Sequence, residues 1–153
     1  MLPDNSKEAE KLVDIAMDHL VQEEYEEAEK VLRDALELDQ ANENALLNLG
    51  IVLIEKGDYK EAESIFSRLS EMDTEDPDIY VFWADALTSL ERYEEAVEAL
   101  KHAIKLDPED PSTWSILASV LSFLHREEEA AEAEAKAEEL EQMFSELELQ
   151  DDE

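Results

Sequence analysis

The chain has 153 residues, about one ordinary domain's worth, and carries 44 Asp and Glu against 12 Lys and Arg for a net charge of −32. That balance argues against nucleic acid, whose phosphates need clustered Lys and Arg, and against anionic membrane surfaces; it favours basic partners. The absence of Cys removes a disulfide framework and thiolate metal sites, and two Gly with four Pro are too few for a turn-rich β fold. Glu, the better helix former, outnumbers Asp by 30 to 14, so an all-helical chain is expected, with much of the acidity on solvated helix faces.

The chain opens on the polar segment MLPDNSKEAE. It is read as a lead-in over residues 1–8 without an apolar leader. No stretch approaches the roughly 18 apolar residues of a membrane span, so the expected location is cytoplasmic. Next comes YEEAEKVLRDALELD from Tyr25, followed at one constant interval by YKEAESIFSRLSEMD from Tyr59 and YEEAVEALKHAIKLD from Tyr93. Asp76-Pro77 and Asp110-Pro111 keep the same spacing. A fixed period of roughly 34 residues marks a repeat array in which each unit is one supersecondary element.

The units are placed at 9–42, 43–76, 77–110 and 111–144. Each holds two antiparallel helices of about 14 residues. In the second unit Gly57 supplies the left-handed residue between them. In the third, Asp76 caps a helix with Pro77 in its first turn, running to Ser89 or Leu90. A turn at Glu91-Arg92 leads into the Tyr93 helix, which Pro108 stops. From Glu127 the sequence is rich in Glu and Ala. Leu140, Met143, Phe144 and Leu147 then recur at helical spacing and are read as a cap on the last unit. Residues 145–153 are the end of that capping helix and an acidic tail, with Asp151–Glu153 expected to fray.

These residues resemble the tetratricopeptide repeat family, whose signature places a bulky residue, Leu-Gly and Tyr on the first helix and Ala, Phe, Ala and Pro on the second. The third unit matches with Tyr80, Trp83, Ala84, Leu87, Ala96, Leu100, Ala103 and Pro108. The second matches with Leu46, Leu49, Gly50, Leu53, Ala62 and Phe66, but has Leu69 for the second Ala and Thr74 for Pro. The first has His19 where Tyr is usual and Gln40 in place of Pro, and the fourth departs at Glu134. The resemblance implies a right-handed α-solenoid of antiparallel helix pairs ending in a long capping helix. Ala16, Gly50, Ala84 and Ala118 fall where neighbouring helices approach closely.

No motif for chemistry is found. His19 reads as a packed core residue, and His102 and His125 as exposed. None forms a metal-binding pair or sits beside a nucleophile motif. The acidic cluster Asp73, Glu75, Asp76 and Asp78 is broken by Pro77 and lacks the Gly and terminal Glu of a calcium loop. No enzyme activity and no cofactor are expected.

The resemblance further implies that the first helix of each unit lines a concave groove. The expected partner-binding residues there are Val13, Met17, Leu47, Asn48, Ile51, Asp78, Val81, Phe82, Asp85 and Ile116. A branch of the family clamps the carboxylate tails of Hsp70 and Hsp90 with Lys, Asn, Asn, Lys and Arg. The matching positions here are Val13, Met17, Asn48, Asp78 and Phe82, so only Asn48 survives and that partner is disfavoured. An apolar strip edged with acid suits a peptide or helix with apolar anchors and basic flanks. The expected function is a protein-interaction scaffold or dedicated chaperone, with a generic resemblance to the acidic chaperones of bacterial type III secretion. The alternative is a self-assembling structural module forming homo-oligomers.

Overall fold

The computed structural model describes residues 4–72 and 74–151, so Asp73 of the acidic cluster and the end of the tail lie outside the described residues. Among the described residues eight helices follow in order: α1 Asn5–Val21, α2 Tyr25–Leu38, α3 Glu43–Lys56, α4 Tyr59–Ser70, α5 Pro77–Ser89, α6 Tyr93–Leu106, α7 Pro111–Phe123 and α8 Glu127–Asp151. Helix α1 begins at Asn5, inside the stretch read as lead-in.

The helix starts have side-chain causes. Asn42 Oδ1 accepts from the Ala45 amide at 2.9 Å, ahead of α3. Asp76 Oδ1 accepts from the Asp78 amide at 3.0 Å. Asp110 accepts from the Ser112 and Thr113 amides at 3.1 and 3.0 Å, and also from the Thr113 hydroxyl. These bonds satisfy N–H groups that the first helical turn leaves without partners, and Pro77 and Pro111 remove one such N–H outright.

Each helix pair turns on a residue with positive φ: Glu23 at 58°, Gly57 at 81°, Glu91 at 59° and His125 at 56°. The four are evenly spaced at the repeat interval, yet only one is Gly.

The chain divides into two compact units, residues 1–74 and 75–153. In the first, α1 packs on α2 and α3, and α3 on α2 and α4. Leu32, Leu46, Leu49, Leu53, Phe66 and Leu69 are fully buried. The close approach expected at Gly50 is real. A Cβ there would stand 2.5 Å from Cζ of Phe66, whose side chain is fully buried, so the packed ring would have to shift.

In the second unit α6 packs on α5 and α7, and α7 on α8. Its core joins Ala84, Leu87, Val97, Leu100, Leu117, Val120, Leu121 and Ala133, with Trp83, Tyr93, Trp114 and Ile116 packed at the edge. Tyr93 stacks on Phe123 with centroids 5.3 Å apart, and Trp114 Nε1 donates to the Pro108 carbonyl at 3.0 Å. Leu140 is buried as expected of a cap, but Met143, Phe144 and Leu147 are exposed, so among the described residues the cap ends at Leu140.

His19 is not the packed core residue expected. Its ring is part-exposed, with Nδ1 2.6 Å from Oε2 of Glu24. The left-handed Glu23 turns the chain so that Glu24 comes back to the end of α1.

Candidate partner-binding surfaces

In the first unit, the expected groove residues lie on α1 and α3. Val13 is only 5% exposed, which leaves little of it for a ligand, whereas Met17, one turn on, is 48% exposed. Leu47, Asn48 and Ile51 fall within one turn of α3 and are half-buried. Asn48 Nδ2 donates to the carbonyl of Asn44 at 2.8 Å, so its amide is tied to its own helix.

In the second unit, Asp78, Val81, Phe82 and Asp85 lie within two turns of α5. Val81 and Phe82 are half-buried, and Asp78 and Asp85 are exposed. Ile116 packs partly against the α5–α8 core. The carboxyl of Asp78 is raised above its usual range, first by partial burial and then by Asp76, Asp110 and Asp107, which place like charges around it.

The opposite side of α5 holds a feature that sequence reasoning missed. Tyr80, Trp83 and Leu87, assigned from the sequence to the repeat core, line an open depression of about 400 Å³ with Ala99 and His102 of α6. Glu94, Glu95 and Glu98 line it as well. Helical geometry explains the division. Residues 80, 83 and 87 share one face, while 81 and 85 lie more than a quarter-turn away. Tyr80 and Leu87 are themselves buried, but Trp83 is only half-buried. The ring of His102 lies over Tyr80 with centroids 4.1 Å apart, and Trp83 is 6.3 Å from Tyr80. The available signal was Glu94, Glu98 and His102, which recur at every fourth position and so form one polar edge along α6.

The acid edge is held in place. Arg92 Nε donates to Oε1 of Glu95 at 2.8 Å, with the second guanidinium nitrogen at 2.5 Å from Oε2. Those bonds lower the Glu95 carboxyl below its usual range despite some desolvation. Lys101 Nζ lies 3.6 Å from Glu98. The depression thus offers aromatic and aliphatic surface to an apolar anchor, and carboxylates and ring faces to a neighbouring cation. Among the described residues, no group of three or more His, Asp or Glu is placed to hold a metal ion, and no helix is long and apolar enough to cross a membrane.

Antiparallel helix pairs repeated at one constant interval, with small residues at the crossings, define an all-α helix-pair repeat protein of the solenoid class. The tetratricopeptide repeat family model matches residues 19–81 and 55–120, together two-thirds of the chain, and the chain belongs to that family. Solved structures agree on the fold. A MamA double mutant of strain RS-1 is 25% identical with a TM-score of 0.86, covering 93% of this chain and 79% of that one. A MamA fragment from Desulfovibrio magneticus RS-1 is 25% identical with a TM-score of 0.84, covering 88% and 76%. A further MamA crystal structure is 19% identical with a TM-score of 0.86, covering 90% and 81%. No curated protein sequence matches the chain.

Proposed function

We propose that this chain is a non-enzymatic protein-interaction scaffold or dedicated chaperone that holds a basic-apolar segment of a protein partner. The observation that carries the reading is the depression between α5 and α6: an apolar floor with two aromatic rings, edged by three glutamates, on a chain of net charge −32. An apolar floor accepts a side chain driven out of water, and the acid edge selects Lys or Arg beside it. The half-buried apolar residues Val81 and Phe82, with Asp78 and Asp85 near them, extend this apolar-and-acid character around α5. Met17, Leu47 and Ile51 provide apolar surface in the first unit. Carboxylate tails are repelled by the same charges.

The test uses a synthetic peptide with Leu and Tyr anchors flanked by Lys. With Trp114→Phe as background, the remaining indole, Trp83, reports occupancy of the depression. Binding is expected to shift Trp83 emission and to weaken as salt screens the exposed edge charges. Glu94→Gln with Glu98→Gln is expected to lower affinity about tenfold at low salt and to flatten the salt dependence. Val81→Ala with Phe82→Ala is expected to weaken binding further while leaving helicity intact. An affinity unchanged in both double variants, with a silent Trp83, removes this reading.

A further inference from the structure

Helix α8 has 25 residues against 13 in α7, so at 1.5 Å per residue it outruns its neighbour by about 18 Å. Its buried residues, Ala130, Ala133, Ala137 and Leu140, are spaced alternately by three and four. The same alternation continues without a break to Phe144 and Leu147, which are 40% and 50% exposed, with Met143 beside them at 40%. One stripe therefore runs along most of the helix. Its first half is covered and its second half is not.

Side-chain size changes along the stripe. It is Ala at the first three positions, where α8 packs in the core with α7, then Leu140 at the last covered position, and Phe144 and Leu147 where the stripe is exposed. Alanines let two helix backbones come close, whereas large apolar side chains fill the wider gap of an ordinary helix–helix contact. A three-four alternation is the seam into which another helix inserts its own side chains; an extended strand, with side chains alternating at every second position, does not match it. Glu141 and Glu148 follow Leu140 and Leu147 directly, at the positions that flank such a seam and select its partner by charge. From Ala137 to the last residue the sequence holds eight Asp and Glu and no Lys or Arg. A second copy would bring this acid against itself.

We infer that the distal half of α8 docks an amphipathic helix of a partner protein that carries Lys or Arg beside its apolar seam. The site shares no residue with the depression between α5 and α6 and stands independently of it.

The test takes the full chain and two synthetic peptides of identical composition. One is a helix with Leu along the seam and Lys on its flanks, and the other is a scrambled sequence without a seam. Anisotropy is expected to give about tenfold tighter binding of the amphipathic peptide. Met143→Ser with Phe144→Ser and Leu147→Ser leaves every charge in place and is expected to bring the two peptides to equal affinity. Glu141→Lys with Glu148→Lys is expected to narrow the preference for the amphipathic Leu/Lys helix over its scrambled counterpart. Equal binding of both Leu/Lys peptides by the unsubstituted chain, or a preference that survives the triple Ser variant, overturns the inference and leaves only general charge attraction. Sedimentation equilibrium covers the other occupant. A dimer of the unsubstituted chain that the triple Ser variant dissociates also overturns it, because a second copy then fills the seam.

Discussion

Glu23, Gly57, Glu91 and His125 occupy the same place in successive helix pairs, and all four hold the left-handed backbone conformation. A side chain with a Cβ sits there at a cost on the order of 1–3 kcal/mol, whereas Gly loses little beyond its extra freedom in the unfolded chain, about 0.5–1 kcal/mol. Glu23→Gly, Glu91→Gly and His125→Gly are therefore each expected to stabilise the fold by about 0.5–1 kcal/mol, measured as a rise in the urea midpoint at constant slope. Gly57→Ala is expected to move the midpoint the other way by a similar amount. Gly57 announced the conformation in the sequence, because glycine between two helical segments has one common explanation. The other three turns did not, because Glu and His give no local sign of a positive φ. The repeat period held the information, and carrying Gly57 along it lands on each of them.

At the scale of the element, α2, α3 and α4 are linked by a chain of charges centred on Glu29. Lys56 Nζ lies 2.6 Å and Arg33 Nη2 2.7 Å from its two oxygens, and Arg33 continues to Glu61 at 2.9 Å. The hydrogen bond from Lys56 lowers the Glu29 carboxyl below its usual range, against partial burial, with Arg33 adding to the effect. A depressed carboxylate stabilises the fold above its unfolded pKa, and that contribution is lost as pH falls through the folded value. Glu29→Gln is expected to cost about 1 kcal/mol at pH 7 in chemical denaturation. The difference from the unsubstituted chain should shrink below about pH 4.3 and vanish in more acid solution, once Glu29 itself is protonated. The helices were legible because caps, prolines and Tyr-x-x-Ala spacing are local signals. This charge chain was not, since among many glutamates nothing local marks the one that two cations reach. The depression between α5 and α6 was hidden for a related reason. Bulky residues at signature positions read as core, and only the packed helices show that Trp83 keeps part of its surface open.

At the scale of the whole molecule, 44 acids against 12 bases make repulsion between carboxylates the dominant charge effect. Asp78, raised by burial and by Asp76, Asp110 and Asp107, is the resolved example. For a raised carboxyl the sign is opposite to that of Glu29. Ionisation opposes folding above its folded pKa, and protonation relieves the penalty as pH falls through it. Added salt screens the same repulsion, with a Debye length of about 10 Å at 0.1 M. The melting temperature is therefore expected to rise between low salt and about 0.5 M NaCl, followed by circular dichroism, while affinity for a basic peptide falls over the same range. A melting temperature that falls with salt would show that ion pairs such as Glu29–Lys56 outweigh the repulsion.

The two indoles, Trp83 and Trp114, both belong to the unit Glu75–Glu153, and the unit Met1–Thr74 contains none. Intrinsic tryptophan emission is consequently a one-sided optical probe. It follows the melting of the second unit and is blind to the first, whereas far-ultraviolet ellipticity weighs helices from both. Half of this repeat array is already spectroscopically labelled by its own sequence, and a single Tyr25→Trp replacement would give the other half a signal of its own.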